Sequence, residues 1–203
     1  MTYTLKRYQS YQEYLDAEEL SPEGNYRLLS TGEVIEVPTE NDLNSLIANA
    51  LIAALQQLEG ISFIRYIRNG NKEMQVRPVG DKCVNRKPDL LVLAPSHLSE
   101  EAKQALFLGM EPPRFVAEVV SPGPQSSENY QRDYVWKREQ YQNWQIPQYW
   151  IIDPHREQVT VLTLDEGVYQ DAVFVDGDRI KSTAFPGTKI RVKALLSGQI
   201  DDD

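Results

Sequence analysis

The chain has 203 residues, 41% of them hydrophobic and 25% charged, which is typical of a folded protein with one sizeable core rather than a disordered chain. Its net charge of −9 argues against a general nucleic-acid-binding protein, because phosphate contacts need clustered lysine and arginine. The single cysteine, Cys83, excludes an intrachain disulfide, and with only two histidines the chain cannot build a Cys/His metal cluster. No signal peptide or membrane-spanning segment is evident, so the sequence predicts a cytoplasmic protein.

The N-terminal part of the chain alternates between helical and β-prone patterns. Tyrosines at helical spacing predict a short amphipathic helix over residues 8–20. Residues 25–29 and 33–37 are β-prone runs around a short glycine-containing turn, which predicts a hairpin. Residues 41–58 carry a continuous stripe of leucine, isoleucine and alanine at helical spacing, which is the clearest helix signal in the chain.

The middle of the chain contains apolar runs separated by turn residues. Residues 62–67 and 72–79 flank an Asn-Gly dipeptide, which predicts a second hairpin. Residues 90–94 and 114–120 are nearly continuous apolar runs, as expected for strands buried on both faces of a sheet. Residues 99–108, between these two runs, are predicted to form a helix.

The C-terminal part begins with a long polar and aromatic segment, residues 126–144, whose period is helical. A third buried strand is predicted over residues 148–153. Residues 158–164 and 167–175 alternate between apolar and polar side chains around a turn, so they predict a further hairpin. Residues 190–198 contain one helical turn at most.

This order of elements predicts an α/β protein with a single main domain. A central mixed β-sheet flanked by helices, with additional β-hairpins, accommodates all the predicted strands and helices. The predicted organisation is a helical extension over residues 1–24, the α/β domain over residues 25–198 and an acidic tail over residues 199–203.

Glu118 is the residue in this chain that most needs a chemical explanation. It lies inside an apolar strand, where a carboxylate must be paired, protonated or bound to a metal because its desolvation costs several kcal/mol. The alternation of side chains along a strand places Glu118 on the same face as Val116 and Val120. Both faces of this strand look covered, which weakens the alternative that Glu118 points into water.

Asp89 immediately precedes a buried strand and follows a proline, so a simple turn aspartate is an equally good interpretation of it alone. If the strands of Asp89 and Glu118 are neighbours, the two carboxylates repel each other, and a hard cation relieves that repulsion. The sequence therefore predicts that Asp89 and Glu118 bind Mg²⁺ or Mn²⁺.

Three further residues are candidates for the same site. Lys137, on the predicted helix over residues 126–144, could orient an attacking water or stabilise negative charge, although a solvated helix position is the simpler interpretation. Asp133 and Tyr141, four residues before and after it, share its helix face and are predicted to support it. Glu40, at the start of the helix over residues 41–58, either interacts with the helix dipole or reaches the metal as a third acid.

Several stretches of the chain, from about Tyr26 to about Leu196, resemble the Uma-type family of bacterial restriction endonucleases, which belongs to the PD-(D/E)XK nuclease superfamily. The resemblance is carried by RKPDLLVL, FVAEVVSPG, YQRDYVWKREQYQNWQIPQYWIIDP and VTVLTL. It implies a restriction-endonuclease-like fold with an acidic pair at Asp89 and Glu118 and a further acid at Glu40. The lysine of the superfamily usually stands two residues after the second acid, where this chain has a valine, and the resemblance assigns its role to Lys137.

The resemblance implies a Mg²⁺-dependent endonuclease that hydrolyses phosphodiester bonds in DNA, with Asp89, Glu118, Lys137 and Glu40 as the catalytic residues. The alternative is a catalytically weak or inactive nuclease-fold protein that acts as a binding or assembly module. Two features favour this alternative: the acidic charge of the chain and the absence of a histidine that many members carry on the helix after Glu40.

A small-molecule enzyme finds little support, since the chain has neither a glycine-rich phosphate loop nor a plausible Ser-His-Asp arrangement. The aromatic side chains of the helix over residues 126–144 exceed what one buried stripe needs. Tyr130, Tyr134 and Trp136 therefore predict a homodimer that uses this surface or the terminal hairpins.

Overall fold

The computed structural model describes residues 7–21, 24–37, 42–80, 82–99 and 102–200. Their strands fall into a central sheet and two smaller sheets. In chain order, the strands are β1 (Tyr26–Leu28), β2 (Val34–Glu36), β3 (Ile67–Arg68), β4 (Glu73–Gln75), β5 (Asn85–Arg86), β6 (Leu90–Val92), β7 (Ala105–Leu106), β8 (Phe115–Val119), β9 (Gln148–Asp153), β10 (Gln158–Asp165) and β11 (Val168–Val175).

The central sheet has the order β11-β10-β9-β8-β6-β3 among the described residues. Strands β8 and β9 run parallel, whereas the other neighbouring pairs of this sheet are antiparallel. The prediction of a central mixed sheet is therefore confirmed. Strands β1 and β2 form a separate hairpin, as predicted, and a further small sheet has the order β5-β4-β7.

The described helices are of different lengths and types. The α-helices are α1 (Tyr11–Leu15), α2 (Asp42–Glu59), α3 (Glu128–Tyr130), α4 (Lys137–Asn143) and α5 (Val192–Leu196). Short 3₁₀ helices span Ile61–Tyr66 and Pro95–Leu98, and a π-helical segment spans Gln131–Trp136. Helix α3, the π-helical segment and α4 follow one another without a break, and we call them together the crossover helix. Parallel neighbours such as β8 and β9 need such a connection, because no tight turn can join them.

The central sheet separates two layers of apolar packing. On one face, alternate residues of the buried strands contact α2 and α5, as Leu90, Ala117 and Trp150 do. On the other face they contact the crossover helix and the small sheet around β4, as Leu91 and Val116 do. Every residue of β6, β8 and β9 is buried, so the three predicted buried strands are confirmed.

Two predicted elements are wrong. Residues 62–67 and 72–79 do not form a hairpin: β3 pairs with β6 at the edge of the central sheet, whereas β4 pairs with β5 and β7 in the small sheet. The turn at Gly70, which has a positive φ of 61°, instead carries the chain from one sheet to the other. The helix predicted over residues 99–108 is also wrong. Among residues 102–108, only one position is helical, in a 3₁₀ conformation, and Ala105 and Leu106 are buried in β7.

The predicted helix over residues 8–20 is shorter than expected. Ser10 caps it by accepting a hydrogen bond from the backbone N–H of Glu13, and it ends at Leu15.

The long helix α2 is confirmed. Glu40 and the acidic residues 201–203 lie outside the described residues. Within the described ranges, no helix is long and apolar enough to cross a membrane.

Candidate active site

Strands β6 and β8 bring Asp89 and Glu118 to the same place in the sheet. Leu90 pairs with Ala117 in this antiparallel ladder, so the next position of the register sets Asp89 opposite Glu118. Residues directly opposite each other in an antiparallel pair project from the same face of the sheet. Here it is the face covered by the crossover helix, since Leu91 and Val116 contribute to that packing layer.

Asp89 is fixed to the end of β8 by a hydrogen bond. Its Oδ2 accepts from the backbone N–H of Val119 at 2.6 Å, and the residue is 9% exposed. On α2, the buried side chain of Asn44 donates to the backbone carbonyl of Val119 at 3.3 Å. Asp89 and Asn44 therefore hold the peptide groups on the two sides of Val119. Nothing in the sequence pattern singled out Asn44, because a polar residue within a helix has no distinctive signal.

Glu118 is 2% exposed and paired through both of its oxygens. Lys137 Nζ lies 2.9 Å from Glu118 Oε2, and the hydroxyl of Tyr141 donates to Glu118 Oε1 at 2.5 Å. Both partners come from the crossover helix, which packs over this face of the sheet. The buried carboxylate is thus balanced by one cation and one neutral hydrogen-bond donor.

Lys137 links Glu118 to a second buried carboxylate. Its Nζ lies 2.7 Å from Asp133 Oδ1, and Asp133 also pairs with Arg132 at 3.2 Å. The Lys137 side chain is only 11% exposed, so it does not occupy the solvated position that its spacing alone suggested. Glu118, Lys137, Asp133 and Arg132 form one chain of alternating charges, which we call the ion-pair network.

The local backbone of the crossover helix departs from a regular α-helix where this network forms. In the π-helical segment Gln131–Trp136, the backbone N–H of Lys137 donates to the carbonyl of Arg132, five residues earlier. Such a segment accommodates one extra residue and is frequent at functional sites. It lies directly before Lys137, and periodicity alone could not have predicted it.

The charges of the network determine the protonation states of its members. Burial lowers the pKa of Lys137, but the negative charges of Asp133, Glu118 and Asp89 outweigh it, and the pKa is raised above its ordinary value. Burial raises the pKa of Asp133, but Lys137 and Arg132 outweigh that effect and lower it. Lys137 is therefore an ammonium ion and Asp133 a carboxylate at neutral pH.

Tyr141 remains a neutral hydrogen-bond donor. Burial, followed by the charge of Glu118, raises the pKa of its hydroxyl well above the ordinary value. A neutral hydroxyl can donate to Glu118, whereas a phenolate would repel it. Tyr141 therefore fixes the orientation of the Glu118 carboxylate without taking part in proton transfer at neutral pH.

A cavity of about 480 Å³ opens beside the network, between the β1–β2 hairpin and the crossover helix. Asp89, Asp133 and Lys137 all line it, whereas Glu118 is not among its lining residues. The described residues that line it carry five cationic side chains, which are Arg27, Arg86, Lys87, Arg132 and Lys137. Three acids, Asp89, Glu128 and Asp133, also line it, so the cavity has an excess of positive charge in a chain whose net charge is −9.

Most of these cations were not predicted to belong to the site. Arg86 and Lys87 directly precede Pro88-Asp89, and this proximity in sequence was the available signal for them. Arg27 comes from the β1–β2 hairpin, far away in sequence, so only the tertiary fold brings it to the cavity. A local cationic cavity on an acidic protein removes the objection that overall charge raised against a phosphate-containing ligand.

The acids of the site fit a hard divalent cation. The described residues contain no group of three or more histidine, cysteine, aspartate or glutamate side chains that could hold a metal ion. A carboxylate has about four acceptor directions, and the hydrogen bonds from Lys137 and Tyr141 use one on each oxygen of Glu118. Mg²⁺ is commonly held by only one or two carboxylates, with water and substrate phosphate as the other ligands. Asp89 and Glu118 are the candidate donors for such an ion.

Tyr130, Tyr134 and Trp136 have contacts within the chain. Tyr130 stacks on Tyr134 with ring centroids 4.4 Å apart, and the Tyr134 hydroxyl donates to Asp153 at 2.8 Å. Trp136 lines the cavity. These contacts account for the aromatic surplus of the crossover helix without a second copy of the chain, and the predicted homodimer stays a prediction.

Comparisons with known proteins identify a family and a fold for this chain. A family model described as "Uma2: Putative restriction endonuclease" matches residues 11–193. A crystal structure described as "a putative nuclease belonging to DUF820 from Anabaena variabilis ATCC 29413" is similar to this chain with a TM-score of 0.62 and 19% sequence identity. The alignment covers 92% of this chain and 97% of that one, which confirms the predicted nuclease-type fold. No curated protein sequence matches the chain.

Proposed function

The chain belongs to the Uma2 family, and we propose that it is an endonuclease that hydrolyses phosphodiester bonds in DNA with the aid of Mg²⁺ or Mn²⁺. The observation that supports this proposal most directly is the pair of acids, Asp89 and Glu118, set opposite each other on neighbouring strands. Lys137 lies against Glu118, and Asp89 and Lys137 both line a cationic cavity. This combination can hold a metal ion and a phosphate group side by side.

In this proposal, Asp89 and Glu118 are the protein ligands of the metal. When bound, the divalent cation supplies Lewis-acid activation of the attacking water and offsets negative charge on the phosphate. The hydrogen bond from Val119 fixes Asp89, and the hydrogen bond from Tyr141 fixes Glu118, so both carboxylates are already oriented. Glu40 is proposed as a further acid of the site and lies outside the described residues.

Lys137 acts as a fixed positive charge. Because its pKa is raised, it cannot take a proton from water at neutral pH, and it instead donates hydrogen bonds. During hydrolysis the water oxygen bonds to phosphorus and the bond from phosphorus to the leaving oxygen breaks, while the proton that the water loses passes through solvent to the leaving oxygen. Negative charge builds up on the phosphate in this step, and a preorganised ammonium nearby stabilises it.

Asp133 and Arg132 are positioning residues for Lys137. Asp133 accepts from Lys137 at 2.7 Å and is itself balanced by Arg132. Without Asp133, the ammonium group would have Glu118 as its nearest carboxylate and could move towards it. Asp133 thus keeps Lys137 at the edge of the cavity, where it can reach a substrate phosphate.

The test is cleavage of supercoiled plasmid DNA with Mg²⁺, with Mn²⁺ and with EDTA. The wild type should nick or linearise the plasmid only with metal, and Asp89→Asn and Glu118→Gln should abolish cleavage. Arg138→Gln is a matched control, because Arg138 follows Lys137 on the same helix but pairs with Asp171 at the surface. Absence of cleavage by the wild type, or equal cleavage by all four proteins, would contradict the proposal.

A second measurement separates the nuclease from a non-cleaving binding module. Thermal denaturation of the wild type with increasing Mg²⁺ or Mn²⁺ should raise the Tm, because a ligand that binds only the folded state stabilises it. Asp89→Asn should lose this response. A metal-dependent increase in Tm without cleavage of DNA would favour a binding role for the same site.

A further inference from the structure

Reactive residues of the proposed site line a recess and do not stand on an open surface. Asp89 is 9% exposed and the Lys137 side chain 11% exposed, and both line the cavity between the β1–β2 hairpin and the crossover helix. A volume of about 480 Å³ is that of a small-ligand pocket, which typically measures roughly 300–1,000 Å³. Such a recess has room for a nucleotide or two, whereas a base-paired duplex is far wider.

The lining of this recess has two chemical characters. One part is cationic, with Arg27, Arg86 and Lys87 from the β1–β2 hairpin and the segment before Asp89. Another part is apolar and aromatic, with Leu29, Ile35, Val37 and Trp136. A nucleotide has the same two parts, an anionic phosphate and a flat apolar base. Proteins that bind unpaired strands combine a positively charged groove with aromatic side chains on which bases stack.

Trp136 packs closely against Gly80 and lines the recess. Gly80 has a positive φ of 38°, and a Cβ atom at this position would overlap the indole ring of Trp136. The glycine therefore lets the chain approach the indole ring closely, and Trp136 also lines the cavity. Trp136 is partly exposed, whereas Trp144 and Trp150 are buried.

We propose that the substrate enters this site as an unpaired nucleotide, either in a single strand or flipped out of a duplex, with its base on Trp136 and its phosphate at Lys137. This inference rests on the proposed nuclease function and specifies its substrate class. Drawing a paired base out of a duplex costs unstacking and unpairing energy, which is smallest for a single-stranded, mismatched or bulged nucleotide. An unpaired nucleotide suits a recess of this volume, whereas a base-paired duplex is too wide to enter it.

The experiment compares three DNA probes of the same sequence: a fluorescein-labelled single strand, its duplex, and the duplex with a central unpaired bulge. Fluorescence anisotropy in EDTA measures binding without cleavage, and incubation with Mg²⁺ or Mn²⁺ measures cleavage. The single strand and the bulged duplex should bind at least about tenfold more tightly than the perfect duplex, and should be cut at the unpaired position. Binding should also quench the tryptophan fluorescence.

Variants of Trp136 test the stacking role. Trp136→Leu should weaken single-strand binding by about 5- to 150-fold, the effect of losing one base–aromatic stack. Trp136→Phe keeps an aromatic ring and should restore most of the affinity. Val135→Ala, at a position 41% exposed on the same helix that does not line the cavity, is the matched control and should bind like the wild type.

The outcomes separate this inference from the proposed function. If the perfect duplex is bound and cleaved as efficiently as the single strand, the inference is wrong and the nuclease proposal stands. Preferential binding of unpaired DNA without any cleavage would support the inference and overturn the nuclease proposal. Unchanged affinity of a folded Trp136→Leu variant, checked by its thermal denaturation, would overturn the stacking role.

Discussion

Lys137 and Glu118 form a buried ion pair in which Nζ lies 2.9 Å from Oε2, and the two residues come from different layers of the fold. Glu118 belongs to the central sheet and Lys137 to the crossover helix that packs on it. The pair therefore fixes the helix against the sheet and, at the same point, sets the charge of the proposed catalytic site. Its energetics and its chemistry can be tested separately.

Removal of the Lys137 charge should strongly destabilise the protein. Lys137→Met leaves Glu118 and Asp133 buried with less positive charge, and loss of one partner of a buried pair costs about 3–5 kcal/mol. Arg138→Met breaks a surface pair with Asp171 and should cost less than about 1 kcal/mol. Urea denaturation gives both free energies of unfolding. A cost for Lys137→Met no larger than that for Arg138→Met would show that the buried network contributes little.

Two substitutions of Asp89 should separate its structural and metal-binding roles. Asparagine keeps an oxygen that can accept from the backbone N–H of Val119, whereas alanine leaves this buried N–H without that acceptor, at a cost of about 1–3 kcal/mol. We expect Asp89→Ala to lower the Tm clearly and Asp89→Asn to lower it little. Both should lose the increase in Tm on addition of Mg²⁺. Retention of that increase in Asp89→Asn would remove Asp89 from the metal site.

The stability that Asp133 provides should depend on pH in a defined direction. Its folded-state pKa is lowered below the ordinary value of 3.8, so its contribution is complete above that pH and is lost as the pH falls through the folded-state pKa. The difference in unfolding free energy between the wild type and Asp133→Asn should therefore be constant near neutral pH and shrink below pH 3.8. The corresponding difference for Asp171→Asn, at the surface, should be small at every pH. A difference for Asp133→Asn that grows on acidification would contradict this assignment.

Lys72 should titrate far below an ordinary lysine. Burial, helped by the charge of Arg68, lowers its pKa to about 8. The folded-state pKa lies below the unfolded value, so the charged side chain costs stability below pH 8, and this cost is relieved as the pH rises. In a sample with ¹³C-labelled lysine, one Cε signal should titrate near pH 8 and be absent from Lys72→Arg. Lysine signals that all titrate near 10.4 would refute the shift.

The sequence predicted the strands of the site well, because burial constrains them strongly. An unbroken apolar run around Glu118 indicated a strand covered on both faces, and the structure buries every residue of it. Equally clear patterns of apolar residues identified β6, β9 and α2. Where two elements pair along the chain, as in β10 and β11, the turn between them also located the pairing correctly.

The sequence did not predict which elements distant along the chain pair or come together. The Asn-Gly turn before β4 was a good turn signal, but β3 and β4 find better partners in two different sheets. Arg27 and Trp136 reach the cavity from elements distant in sequence, and no periodicity links them to Asp89. For Lys137, the spacing favoured a solvated position. Only the family resemblance pointed to the site, and the structure shows the ion pairs that bury it.

Strand β11 has a consequence for self-association. Within the described residues it pairs with β10 alone and forms one edge of the central sheet, where Val168, Val173 and Val175 are exposed. An exposed edge with apolar side chains is a template for pairing with another chain. If the predicted homodimer forms through this hairpin, Val173→Lys should convert it to a monomer in light scattering at micromolar concentration, and a wild-type monomer would refute the dimer. The same open edge would also be the place where partly unfolded copies aggregate.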